Sequence, residues 1–354
     1  MNDTEDMEKY GNFVYTDDYN DSYTCDFEET GLQNFHAIFQ SVFYSFIFFL
    51  GLAGNGLMIT ILLRRQHRLR ITEIYLLHLA LADLMLIITL PFKSVGCITG
   101  WVFGEFLCIL TGVLENLNLL CVSFLLACIG FDRYLAIVHA VPSMQSRRPR
   151  VVHLTCMSLW LFCLLLSLPN AVFLSVKMDQ NDLFLDCHAY RFKIHSHNWV
   201  VTNRVIHNVC FFFSLGVMCY CYTALVVTLC SSQKSQSKKA AIRLALLVTL
   251  VFCCSWLPYS MASLIMSLSE LKLIILDTCD SEELLKQVYN VSYSLGISHC
   301  CLNPFLYAFV GVQFRNELIH LLCQLGCGRV CSPFIQVRTR SFVSDGTTNS
   351  TNIF

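Results

Sequence analysis

Charge is scarce in this chain: only 14% of its 354 residues are Asp, Glu, Lys or Arg, against 55% hydrophobic and a mean hydropathy of +0.56. So little charge over that length excludes an ordinary soluble globule and points to a membrane protein. A phosphate-binding loop, a metal-ligand motif and a nucleophile elbow are also missing, so an enzyme reading has no support and no cofactor is expected. The N-terminus lacks the basic stretch and short apolar core of a cleavable signal peptide. The first membrane span is therefore expected to act as the export signal, with the N-terminus retained. No internal repeat and no second soluble domain is visible.

The charges that are present are unevenly placed. They nearly cancel, at 24 basic against 25 acidic residues, but ten of the acids fall in residues 1–36, Asp17 and Asp18 among them, with one base, Lys9. Tyr10, Tyr15, Tyr19 and Tyr23 are interspersed there. Such a segment buries too little apolar surface to fold alone, and residues 1–36 are expected to be a disordered acidic arm. Asn2 and Asn20 open exposed glycosylation motifs; Asn290 matches the pattern but lies too near an apolar run. Of the 20 cysteines, Cys121, Cys128, Cys156, Cys163, Cys219, Cys221, Cys253 and Cys254 sit inside apolar runs without metal-ligand spacing, and read as small buried hydrophobes.

Seven runs are long and apolar enough to cross a bilayer: 37–63, 74–98, 106–138, 151–176, 199–229, 240–268 and 284–310. Basic residues crowd the first, third and fifth connections (Arg64 to Arg70; Arg147, Arg148 and Arg150; Lys234, Lys238 and Lys239), which places those loops in the cytoplasm. The acidic N-terminus then faces outside and the tail inside. The predicted fold is an all-α membrane protein, a seven-helix bundle over 37–310. A short amphipathic helix over 311–327 follows, with Phe314, Leu318, Leu321, Leu322 and Leu325 on the face that meets lipid. Cys323, Cys327 and Cys331 are candidates for palmitoylation. A Ser/Thr-rich cytoplasmic tail fills 328–354.

Charges inside spans are costly and need a purpose. Asp83 lies in the second span, Glu115 toward the outer side of the third, and Asp132 and Arg133 at its inner end. Two readings fit: an ion or proton path, or a conformational switch whose buried polar groups exchange partners. A path wants more ionisable groups than these few. Pro91, Pro169, Pro258 and Pro304 each fall within an apolar run, where proline kinks a helix and supplies a hinge.

At this point the chain resembles rhodopsin-class G-protein-coupled receptors. Each run offers a landmark in order: Gly54-Asn55, Leu79-Ala80-Leu81-Ala82-Asp83, Asp132-Arg133-Tyr134, Trp160, Trp256-Leu257-Pro258 and Asn303-Pro304-Phe305-Leu306-Tyr307. Thr89-Leu90-Pro91, Trp101-Val102-Phe103-Gly104, the stretch from Asp132 to Ala140 and His299-Cys300-Cys301 resemble the chemokine receptor family. Gly100-Trp101-Val102, the stretch from Leu295 to Cys301 and Leu325-Gly326-Cys327 are similar to its C-X-C subgroup, type 5 first and type 3 next.

The resemblance implies a multi-pass plasma-membrane receptor driving chemotaxis. Its partners would be a basic C-X-C chemokine outside, and a G protein of the inhibitory class, receptor kinases and arrestin inside, with membrane lipids around it and no nucleic acid. A type 5 pattern implies a lymphoid-homing ligand; a type 3 pattern implies interferon-induced ones. It pairs Cys108 with Cys187 and Cys25 with Cys279. Ligand contacts are expected from the N-terminal tyrosines, which are candidates for sulfation, and from Asp17, Asp18, Trp101, Glu115, Asp186 and Tyr293.

Many relatives carry an acid where this chain has Tyr293, so Glu115 is expected either to take over that acid's role or to pair with another helix. The expected activation switch comprises Asp83, Asp132, Arg133, Tyr134, Trp256, Pro258, Asn303, Pro304 and Tyr307, with a sodium ion allowed near Asp83. Ser332, Thr339, Ser341, Ser344, Thr347, Thr348, Ser350 and Thr351 are candidate kinase targets. Ser214 and Ser255 depart from the family pattern, which keeps a binding-only scavenger open beside a signalling receptor.

Overall fold

The computed structural model describes residues 31–64, 69–138, 149–178, 185–189, 194–230, 236–275 and 278–310. Residues 1–30 of the acidic arm, with its tyrosines, Asp17, Asp18, Asn2, Asn20 and Cys25, the helix expected over 311–327 and the tail lie outside the described residues, whereas residues 31–36, expected in the disordered arm, instead form the first turns of α1. Among the described residues seven long helices form: α1 (Gly31–Arg64), α2 (Ile71–Thr99), α3 (Gly104–Ile137), α4 (Pro149–Ser167), α6 (Ile194–Cys230), α7 (Gln236–Glu270) and α8 (Cys279–Val310). Between α4 and α6 lie a short helix α5 (Pro169–Phe173) and two strands, β1 (Leu174–Met178) and β2 (Leu185–Ala189).

Six of the long helices are apolar and long enough to cross a membrane. The seventh, α8, is long enough at 32 residues but more polar. Its Ser292, Ser294, His299 and Asn303 are buried, so the polar groups face other helices. The apolar side chains left on the outside, such as Phe46 and Phe49 on α1, Leu154 and Leu161 on α4 and Phe213 and Val227 on α6, form the surface that a bilayer would solvate.

α3 runs through the middle, packing on α2, α4, α6 and α7, while α8 closes the ring against α7, α1 and α2. Of the cysteines read as buried hydrophobes, Cys121, Cys156, Cys163 and Cys221 are buried and Cys128 and Cys253 half-buried; Cys219 and Cys254 are exposed instead, on the outer faces of α6 and α7.

The prolines explain two local features. Pro304 has no N–H, so the carbonyl of Cys300 one turn earlier loses its helical donor. Asn55 Nδ2 supplies the replacement from α1 at 2.9 Å. The helices come close there because residue 54 is glycine: a Cβ on it would stand 2.8 Å from Pro304 Cγ. The Gly54-Asn55 and Asn303-Pro304 landmarks are thus two halves of one contact.

Pro169 acts differently, and it corrects an expectation. The fourth run was read as a single span over 151–176, but α4 ends at Ser167. Pro169 disfavours helical geometry at Leu168, and the chain restarts as α5 before extending into β1. β1 pairs antiparallel with β2, Val176 opposite Cys187. This hairpin packs on α3.

Candidate functional site

A cavity of about 610 Å³ opens at the hairpin end of the bundle, walled by α1, α2, α3, α6, α7, α8 and both strands. The Cys108–Cys187 disulfide expected from the resemblance is present, with Cα atoms 5.7 Å apart, and ties β2 to α3 at the cavity rim. Cys279 begins α8, but its expected partner Cys25 lies outside the described residues.

Trp101 is buried rather than offered to solvent. Its backbone N–H donates to Leu185 O at 2.6 Å, its indole N–H donates to Gly104 O at 2.8 Å, and its ring packs edge-on against Phe103. It pins the turn between α2 and α3 to β2 and forms wall, not floor. Asp186 lines the cavity beside it, its carboxylate accepting the Cys187 N–H at 2.7 Å.

Glu115 and Tyr293, named separately from the sequence, touch: Tyr293 Oη donates to Glu115 Oε2 at 2.6 Å. A third residue that sequence reasoning missed completes the group. Lys93 on α2 reaches Glu115 Oε2 at 2.8 Å and Tyr293 Oη at 2.6 Å. Glu115 therefore does pair with another helix. A signal for it existed, because Lys93 is the only Lys or Arg in the run 74–98. A second pair, Arg204–Glu270 at 3.0 Å, joins α6 to α7 at the same end, with Arg204 on the cavity wall.

Beneath this group the ring of Tyr293 meets Trp256 edge-on, centroids 6.2 Å apart. The Trp256 indole N–H donates to His299 Nδ1 at 3.0 Å. His299 Nδ1 also lies 2.6 Å from Gly296 O, and its Nε2 lies 3.3 Å from Asp83 Oδ1. Asp83, fully buried, also accepts Asn303 Nδ2 at 2.8 Å and Asn118 Nδ2 at 3.5 Å.

The sequence named Trp256, Asp83 and Asn303; His299 was seen as a motif letter, not as the link between them. For the sodium ion, a hard cation that takes oxygen ligands, the donor set fits. It comprises the Asp83 carboxylate and the buried amide oxygens of Asn118 and Asn303, which have no other partner among the described residues.

Toward the far end Asp132, Arg133 and Tyr134 are half-buried in the last turn but one of α3. Tyr134 Oη lies 3.2 Å from Tyr220 Oη of α6. Thr249 of α7 donates to Tyr222 Oη at 3.1 Å, and the Tyr222 ring rests on α3 where residue 130 is glycine. Pro258 lies inside α7, two residues beyond Trp256, which itself lines the cavity. Pro304 and Tyr307 lie in the last two turns of α8; the Tyr307 side chain is outside the described residues. Ser214 is buried, its hydroxyl donating to Cys210 O at 2.8 Å, and α6 continues through it without a break. Ser255 is buried beside Trp256.

Comparison with known proteins agrees with this arrangement. The model of the 7 transmembrane receptor (rhodopsin family) matches residues 54–307. Among similar proteins, C-X-C chemokine receptor type 5 of Rattus norvegicus is 40% identical over 310 residues, 87% of this chain and 83% of that one. C-X-C chemokine receptor type 5 of Homo sapiens is 39% identical, covering 88% and 86%. C-X-C chemokine receptor type 3 of Homo sapiens is 39% identical, covering 92% and 89%. With seven long helices, a disulfide-tied hairpin over a polar cavity and this similarity along most of its length, the chain belongs to the rhodopsin family of seven-transmembrane receptors and, within it, to the C-X-C chemokine receptors.

Proposed function

We propose that this multi-pass plasma-membrane protein is a signalling receptor for a C-X-C chemokine, type 5-like in its ligand, with the N-terminus outside and the tail in the cytoplasm. The observation that carries the reading is a continuous line of contacts. It runs from the cavity (Glu115, Tyr293) through Trp256 and His299 to Asp83 and Asn303. A ligand bound at one end thereby acts on buried polar groups in the middle of the bundle, as a two-state switch requires.

In this reading the acidic arm meets the basic chemokine first and raises its encounter rate, more so if its tyrosines are sulfated. Asp186 and Trp101 hold the cavity rim, and Glu115 receives the ligand's amino end. α7 then swings about Pro258, and Arg133 leaves Asp132 to meet an inhibitory-class G protein. A sodium ion, held by the oxygens of Asp83, Asn118 and Asn303, would supply charge to the resting state. Phosphorylation of the Ser/Thr-rich tail builds the negative surface that arrestin binds. Two narrower readings remain beside this one. A type 3-like ligand set draws on the near-equal identity to the type 3 receptors. A scavenger draws on Ser214, through which α6 runs unbroken.

The test is binding of fluorescent C-X-C chemokines, one at a time, to intact cells expressing the chain. One or a few are expected to bind saturably. Replacing both Cys108 and Cys187 by Ser is expected to weaken that binding about tenfold or more, since an untied hairpin must be ordered at the moment of binding. Absence of binding by every chemokine overturns the proposal.

A further inference from the structure

Lys93, Glu115 and Tyr293 form a closed triangle on the cavity wall, and its contacts fall on one side of the carboxylate. Lys93 Nζ and Tyr293 Oη both meet Oε2, at 2.8 and 2.6 Å. The other oxygen, Oε1, is buried and has no hydrogen-bond partner among the described residues. Buried polar atoms are ordinarily satisfied, so one carboxylate oxygen met twice beside another met by nothing marks a place where a donor is to be received.

We infer that the ligand's amino end is received here by exchange of cations: its ammonium docks on Glu115 Oε1 and displaces Lys93 from Oε2. This rests on the receptor reading above. The carboxylate carries one negative charge, and two ammonium groups held across its width repel each other in a half-buried cavity, so one of them must leave. Glu115 is never left unpaired, which is the state a buried charge tolerates least.

Lys93 has somewhere to go. Its Nζ already stands 4.5 Å from the centre of the Tyr293 ring, whose face attracts a cation. Because that ring abuts Trp256, releasing Lys93 from α3 shifts a side chain in contact with the line of groups running to Asp83. Lys93 is thus a built-in competitor for the ligand's ammonium, and the site is specific for a free amine at the end of the inserted segment.

The experiment uses the C-X-C chemokine that binds best in the panel, prepared with a free and with an acetylated amino terminus. G-protein activation is read as EC50 at matched surface expression. Lys93→Gln removes the competitor and is expected to lower EC50 for the free-amine form by about tenfold, the scale of coupling between close charges at an interface. It should change nothing for the acetylated form, and nothing when Glu115→Gln is already present.

A rise in EC50 on Lys93→Gln overturns the exchange. So does a fall that is equal for the acetylated ligand or that persists without Glu115. If Lys93→Gln does not reach the surface, Tyr293→Phe keeps the ring but removes the hydroxyl that holds Nζ, and a smaller fall in EC50 with the same dependence on the free amine is expected; a rise or no change overturns the exchange. A wild-type chain that answers no chemokine at all overturns the receptor reading and this inference with it, whereas a responding wild type with the wrong variant order overturns the exchange alone.

Discussion

Trp256 is held by what its neighbour lacks. A Cβ on Gly296 would stand 2.6 Å from Trp256 Cε3 and 2.8 Å from two more ring atoms, so the indole packs directly on the α8 backbone. That close approach is what lets the indole N–H reach His299. Gly296→Ala forces the ring away, and forcing a methyl into a filled core costs about 1–3 kcal/mol. The expected result is a lower thermal unfolding midpoint for the purified receptor in detergent; an unchanged midpoint would mean that the ring moves freely.

Which residues of the site were legible also turns on single side chains. Asp83 stood out because an acid in mid-span is costly, and its carboxylate is fully buried, with Asn303 Nδ2, Asn118 Nδ2 and His299 Nε2 around it. Lys93 was equally charged and in an equally apolar run. A lysine near the end of a span ordinarily carries its ammonium out to the interface, and the sequence alone does not separate Lys93 from such a residue. Only the rotation of α2, which turns Lys93 toward Glu115, distinguishes the two cases. His299 needed the same knowledge of α8.

At the scale of elements, the apolar runs placed all seven long helices; the departures are 31–36, which belongs to α1 rather than to the arm, and 151–176, which is broken. The reason for the second is that Ala171, Val172, Phe173, Leu174 and Val176 continue the apolar run past its end, so hydropathy marks no sharp boundary; Pro169 does. The Cys108–Cys187 link was legible through the resemblance, whereas the antiparallel pairing of β1 with β2 was not: both strands alternate apolar and polar residues, but five residues are too few to single out a partner.

Of Pro91, Pro258 and Pro304, the prolines inside helices among the described residues, the last two make opposite predictions. Pro304 is already compensated by Asn55, so it fixes a contact between α1 and α8. Pro258, inside α7 and two residues beyond Trp256, is the candidate hinge. Pro258→Ala restores the missing N–H and stiffens α7. It is expected to reduce chemokine-driven G-protein activation by about tenfold, a typical size for coupling between distant sites, while chemokine binding is retained. Loss of binding and activation in parallel would place Pro258 in the ligand site instead.

The molecule as a whole has two chemically different ends joined by a polar interior. At the hairpin end lies the cavity, with Lys93–Glu115 and Arg204–Glu270 among its ion pairs. At the other end α3 carries Asp132-Arg133-Tyr134 near its close at Ile137, beside the tyrosines of α6. Between them most of the core is aliphatic and aromatic, so the few polar contacts from Tyr293 to Asn303 are the groups best able to change partners when the helices shift.

The claim most exposed to test is that these two ends are coupled and that Arg133 completes the circuit. The measurement is nucleotide exchange on an inhibitory-class G protein in membranes containing the chain, with the chemokine that binds it, comparing wild type with Arg133→Asn. Exchange stimulated in the wild type and abolished in a variant that still binds chemokine is the predicted result. Chemokine binding and uptake by the wild type with no exchange at all would contradict it, and would make the protein a scavenger.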